Sequence, residues 1–152
     1  MRDGEGRGIV VIPHTHTERG GMSEPGPGYV LVVDDLAEQR EIYRAILLHE
    51  GFRVLEAGDG DTAVSLARAH VPDVMLLDIC LPGVDGFEVI RRLKADQRTR
   101  RISIVLLTAS AIPEDDRDGA LYDEYLAKPI QPREAVAAVR RHLPASTRHP
   151  YL

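Results

Sequence analysis

The stretch Val71-Pro-Asp-Val-Met-Leu-Leu-Asp78-Ile-Cys-Leu-Pro-Gly83-Val-Asp-Gly86 decides how this chain folds. Pro72-Asp73 reads as a turn. An apolar run from Val74 to Leu77 follows, and it ends on a single carboxylate, Asp78. Continuous apolar residues over that length suit a strand buried on both faces, as in a parallel sheet. A charge at its end sits where the sheet opens to solvent, and the carboxyl ends of strands are where open α/β sheets bind ligands. Pro82-Gly83 turns the chain again, and Asp85-Gly86 leads into a helical pattern. The pattern marks Asp78 as a functional carboxylate that the rest of the chain positions.

Outward from this stretch, the same logic recurs. Tyr29-Val-Leu-Val-Val33 is a second buried strand, ending in Asp34-Asp35. Residues 36–50 read as a helix with Ile42, Tyr43, Ile46 and Leu47 on its inner face, and Gly51 as its C-cap. Residues 52–57 alternate as a half-buried edge strand does. A turn at 58–60 leads to a helix over 61–70, with Ala63, Val64, Leu66 and Ala67 inward. Beyond Asp78, residues 86–96 form a helix that offers Phe87, Val89, Ile90 and Leu93 to a core. A strand over 102–107 ends at Thr108. The stretch 111–124 is the weakest, because the charged run Asp115 to Asp118 followed by Gly119 permits only a short helix. A brief strand at 125–127 closes on Lys128-Pro129. Pro132 opens a last helix with Ala135, Val136, Val139 and Leu143 inside, and Pro144 stops it. This alternation of strand and helix predicts a parallel sheet with right-handed crossovers.

With 152 residues, 43% of them hydrophobic, one sizeable core and one domain are expected. Residues 1–28 are rich in glycine, proline and charge and read as a disordered tail, residues 29–144 as the folded unit, and 145–152 as a short C-terminal tail. His14 and His16 have no third ligand nearby and do not make a metal site. Met22, just before the folded unit, is an expected alternative translation start. The net charge of −5 offers no basic stripe to nucleic-acid phosphates. No apolar run approaches the roughly 18 residues of a membrane span, and the N-terminus has no signal-peptide core. The single cysteine, Cys80, excludes an internal disulfide and fits a cytoplasmic protein. The only lysines are Lys94 and Lys128, so each calls for a reason.

The carboxyl edge of such a sheet gathers Asp34, Asp35, Asp78, Thr108 and Lys128. Clustered carboxylates raise one another's pKa, and a hard divalent cation removes that conflict. Oxygen-only ligands point to Mg²⁺, which keeps several waters and also binds phosphoryl oxygens. A carboxylate beside a metal and a lysine is suited to accept a phosphoryl group, with both cations offsetting charge in transfer. The Thr108 hydroxyl can bond the transferred group. Taken singly, Asp34-Asp35 would serve equally well as a strand-end turn or helix cap.

Asp34-Asp35, the run Leu-Leu-Asp78-Ile-x-Leu-Pro-Gly-x-Asp-Gly86, Thr108-Ala109 and Lys128-Pro129 together resemble the receiver domain of bacterial two-component response regulators. The likeness spans residues 29–143, and its elements come in the right order, each ending its own strand. It implies a flavodoxin-like, doubly wound (βα)5 fold with strand order 2-1-3-4-5. It matches Asp78 to the phosphoacceptor, and Asp34, Asp35, Asp78 and the backbone carbonyl of Cys80 to the Mg²⁺ ligands. Lys128 and Thr108 match the phosphoryl-binding groups, and Tyr125 the aromatic switch that follows Thr108. The interval from Thr108 to Lys128 is shorter than the family pattern and lacks its usual glycine, which points to an altered output surface.

The expected protein is therefore a stand-alone receiver in a phosphorelay. A histidine kinase or histidine phosphotransfer protein phosphorylates it on Asp78. It catalyses only its own phosphoryl transfer and dephosphorylation, and it signals through an unknown downstream protein. Neither DNA nor membrane is a direct partner, and the chain is a monomer or weak homodimer. The alternative is a receiver-shaped scaffold that works without phosphorylation. A hydrolase with an aspartyl-phosphate intermediate is disfavoured, because such enzymes place a second Asp where this chain has Cys80.

Overall fold

A computed structural model describes residues 28–109, 112 and 121–144. The expected tails and Met22 lie outside the described residues, as does most of the weak stretch 111–124. The elements in order are β1 (Tyr29–Val33), α1 (Ala37–His49), β2 (Arg53–Ala57), α2 (Gly60–His70), β3 (Val74–Asp78), α3 (Gly86–Lys94), β4 (Ser103–Thr108), β5 (Glu124–Ala127) and α4 (Pro132–His142). The strands form one parallel sheet in the order β2-β1-β3-β4-β5. Fold class and strand order agree with expectation.

Strand side chains alternate between faces, and this divides the interior into two layers. Leu31, Val33, Met75, Leu77, Ile104 and Leu106 pack with α2 and α3. Val30, Val32, Val74, Leu76, Val105 and Leu107 pack with α1 and α4. β3 is buried at every position because it is central and covered on both sides.

Local chemistry sets the helix starts. The carboxylate of Asp59 accepts from Thr62 N at 2.7 Å, and that of Asp85 from Glu88 N at 2.9 Å, so each satisfies an orphan donor of a first helical turn. Gln131 and Glu134 make a reciprocal capping box ahead of α4. Lys94 donates to the carbonyls of Arg100 and Ile102 at 2.9 and 2.8 Å. Burial lowers its pKa, with Asp123 opposing. This lysine clips the loop before β4, which leaves Lys128 for the sheet edge.

Three local expectations change. Ile42 is 46% exposed, because α1 docks through Tyr43 and Leu47. The C-cap of α1 is Glu50, and Gly51 follows it in the left-handed region at φ 93°. β2 is an edge strand, yet it does not alternate between buried and open: Val54 to Ala57 are all buried, Glu56 included. Glu56 is covered because Arg40 and Arg44 from α1 close over it at 3.2 Å each.

Gly86 packs against the end of β3. A Cβ there would lie 2.8 Å from Ile79 Cα and 3.1 Å from the Asp78 carbonyl oxygen. Both obstacles are backbone, so the loop that follows Asp78 must move. Gly86→Ala is expected to cost about 1–3 kcal/mol, read from the urea midpoint. An unchanged midpoint would mean the loop yields without cost.

Candidate functional site

Strand register brings the site together. Val33 pairs with Leu77, so Asp34 and Asp78 leave adjacent strands at the same level. Asp78 is level with Leu107, and Thr108 pairs with Ala127, which places Lys128 one residue beyond. The Lys128 amide donates to the Thr108 carbonyl at 2.7 Å, fixing the chain at that point.

One carboxylate oxygen from each of Asp34, Asp35 and Asp78 lies within 4.8 Å of the others. Asp34 and Asp78 are buried, and Asp35 is exposed at the mouth. Lys128 Nζ donates to Asp78 Oδ2 at 3.0 Å and stands 3.7 Å from Asp34 Oδ2. The Cys80 amide donates to Asp78 Oδ1 at 2.9 Å, and the Leu36 amide to Asp34 Oδ1 at 2.9 Å. Thr108 is buried at the end of β4. Tyr125 stands outside this group. It is 43% exposed, with its ring edge-on to Tyr122 at 6.3 Å between centroids. Cys80 is exposed and reaches the site through its backbone.

The electrostatics are those of a site short of positive charge. Burial, reinforced by Asp78 and Asp35, raises the Asp34 carboxyl against the lowering effects of the Leu36 amide and Lys128. For Lys128, burial pulls down, but the bond to Asp78 and the fields of Asp78 and Asp34 outweigh it and raise the ammonium. Asp34 Oδ2 is buried with no hydrogen-bond donor on it. A buried carboxylate oxygen lacking a donor, facing two other carboxylates, fits the oxygen ligand set of a hard divalent cation.

The response regulator receiver domain model matches residues 30–140. The chain belongs to the response regulator receiver domain family. Over 114 residues this receiver is 41% identical to the phosphate regulon transcriptional regulatory protein PhoB of Escherichia coli, covering 73% of this chain and 49% of PhoB. The chain thus spans about half the length of that relative. The chemotaxis protein CheY4 of Vibrio cholerae superimposes with a TM-score of 0.72 at 28% identity, over 78% of this chain and 100% of CheY4. The receiver domain of the sensor histidine kinase PA1611 of Pseudomonas aeruginosa gives a TM-score of 0.69 at 32% identity, over 77% and 98% of the two chains. That structure has a magnesium ion coordinated in its active site cleft. Receiver domains bind Mg²⁺ at an acidic pocket, are phosphorylated, and interact with histidine kinases and downstream effectors. Among the described residues no helix is long and apolar enough to cross a membrane.

Two residues near this receiver's acidic site are not placed there by the sequence, which marks Tyr43 only as an inner-face helix residue and does not single out Arg40. Tyr43 is buried; burial raises its phenol, and Lys128, Asp34 and Asp78 all act on it, which places it among the site's charges. Arg40 Nη1 donates to the Asp34 carbonyl at 2.7 Å. Neither carries a local signal, because each reads as an ordinary helix residue until α1 is docked.

Asp34→Asn is expected to separate function from stability. It removes a buried charge whose ionisation the fold disfavours, so the metal-free domain gains about 1 kcal/mol at neutral pH. The folded-state pKa is raised, so the gain is absent below the ordinary carboxyl value of 3.8 and grows as pH rises through the folded value. Urea unfolding in EDTA at several pH values checks it; a mutant that is less stable at neutral pH would refute it.

Proposed function

We propose that this receiver is a phosphoacceptor in a two-component phosphorelay and that Asp78 takes the phosphoryl group from a histidine kinase or histidine phosphotransfer protein. The observation that carries the reading is the contact of Lys128 Nζ with Asp78 Oδ2 at 3.0 Å, inside a cluster of three carboxylates at one sheet edge. A carboxylate oxygen of Asp78 forms the new O–P bond as the N–P bond of the donor's phosphohistidine breaks, and the imidazole leaves. Asp34, Asp35, Asp78 and the Cys80 carbonyl would hold Mg²⁺, which when bound supplies charge neutralisation to the transferring group. Lys128 provides the second positive charge, and Thr108, on the neighbouring strand, provides a hydroxyl to the product.

Phosphorylation then shifts a population in which Thr108 is drawn toward the site and Tyr125 leaves its exposed position. Output passes through protein contacts around β5 and α4, with the protein a monomer or weak homodimer in the cytoplasm. Residues 29–144 form the receiver unit in this reading. The exposed Leu121 and Tyr125 support one alternative, a scaffold that docks its partner without phosphorylation.

The test is incubation with acetyl phosphate, with Mg²⁺ or with EDTA, read by intact mass. A single phosphoryl adduct that requires Mg²⁺ is expected. No adduct despite measured Mg²⁺ binding would favour the scaffold. Multiple-turnover hydrolysis of generic phosphate esters would favour the hydrolase.

A further inference from the structure

We infer that Arg40 is a positioning residue for the cation-binding carboxylates: it fixes the peptide that joins Asp34 to Asp35, and Glu56 holds it there. The inference rests on the proposed Mg²⁺ site.

Arg40 Nη1 donates to the Asp34 carbonyl at 2.7 Å, while its Nε donates to Glu56 Oε1 at 3.2 Å. The Asp34 carbonyl belongs to the peptide plane that leads to Asp35, so a bond to it sets the direction in which Asp35 departs. The rest of this corner is anchored on its Asp34 side. The Asp34 amide donates to the Ala57 carbonyl at 3.1 Å, and Asp34 Oδ1 accepts from the Leu36 amide. Leu36, the residue that enters α1, supplies no side-chain cap.

The guanidinium is itself held in place. Glu56 is 9% exposed and lies on an edge strand, where an unpaired carboxylate would be costly to bury. Its other oxygen is taken by Arg44 Nε at 3.2 Å, so the two arginines, one helical turn apart, use one oxygen each. Gly58 leaves the space this needs, since a Cβ there would come within 3.1 Å of Arg40 Nη1. The chain thus spends a buried carboxylate and two arginines to hold a single carbonyl at the mouth of the site. Supporting partners of this kind typically change metal affinity about 10–100-fold when removed.

Two effects of opposite sign make the role measurable. Arg40 carries positive charge near a cation site, so loss of charge alone would tighten Mg²⁺ binding. Loss of positioning would weaken it. Mg²⁺ is titrated into wild type, Arg40→Met, Arg40→Lys and Glu56→Gln at fixed ionic strength, followed by ¹H–¹⁵N correlation spectra, which report fold and binding together. Arg40→Met is expected to bind about tenfold more weakly, with the largest spectral changes at Asp35 and Leu36. Arg40→Lys keeps the charge and one donor and should recover most of the affinity, and Glu56→Gln should fall between. Wild type that binds while Arg40→Met binds as tightly or more tightly overturns this inference alone. Wild type that binds no Mg²⁺ overturns the cation site and this inference with it. If Arg40→Met does not fold, Glu56→Gln decides, and unchanged affinity there overturns the proposal.

Discussion

Asp78→Asn is expected to abolish the Mg²⁺-dependent phosphoryl adduct while leaving the fold intact. Asparagine keeps an oxygen that can accept from the Cys80 amide, as Asp78 Oδ1 does at 2.9 Å, so the turn after β3 retains its local bond. It lacks the anionic oxygen that attacks phosphorus, and no activation by a neighbour replaces that. The stability terms oppose each other. Lys128 loses the carboxylate at 3.0 Å, but Asp34 and Asp35 lose a like charge within 4.8 Å. With Lys128 still beside Asp34, the net change is expected within about 1 kcal/mol of zero. Intact mass after acetyl phosphate treatment, with a urea unfolding curve on the same sample, checks both halves. An adduct that persists in the mutant would move the acceptor to Asp34 or Asp35. Of those two, Asp35 is the one open to solvent.

Lys128→Met is expected to slow phosphoryl transfer by about 10²–10³-fold, the range seen when one preorganised charge donor is removed. Mg²⁺ binding should be unchanged or tighter, because a cation 3.0 and 3.7 Å from two of the proposed ligands is gone. The split distinguishes a residue that stabilises the transferring group from one that merely shapes the pocket, since the latter would weaken both. Lys128 is half-buried, with 23% of its side chain exposed, and holds two carboxylates, so after solvent screening the metal-free mutant should also lose about 1 kcal/mol. The ammonium pKa is raised in the fold. That contribution is therefore constant through neutral pH and disappears only as pH climbs past the ordinary lysine value of 10.5 and through the folded value. Single-turnover labelling at saturating Mg²⁺ gives the rate, and urea midpoints near neutral and at strongly alkaline pH give the linkage. Equal labelling rates in mutant and wild type would remove Lys128 from the chemistry.

Much of this was legible in the chain because parallel-sheet strands write their burial directly into sequence. Tyr29–Val33 and residues 74–77 are apolar because both faces are covered, and each run ends at a carboxylate at the sheet's carboxyl edge, where Asp34 and Asp78 are themselves buried. Asp85 before α3 and Pro132 opening α4 were equally readable, since capping depends on a few adjacent residues. The acidic cluster followed once the strands were aligned by their ends.

Other features depended on neighbours distant in sequence. Four apolar residues on α1 are compatible with several rotations of the helix, and only its docking buries Tyr43 and Leu47 while leaving Ile42 exposed. Glu56 looks like a solvent-facing position of an alternating strand. It is buried because Arg40 and Arg44 arrive from the preceding helix, a contact that no local pattern encodes. The Asp34 carbonyl is a backbone group, and its partner is fixed by the path of the chain rather than by residue type. By itself, then, the sequence determined the strands, their carboxylate ends and the chemistry those groups can perform. The tertiary structure alone decided the distances among them and what holds Asp34 in place, because register and helix rotation are settled by the packing of the whole sheet.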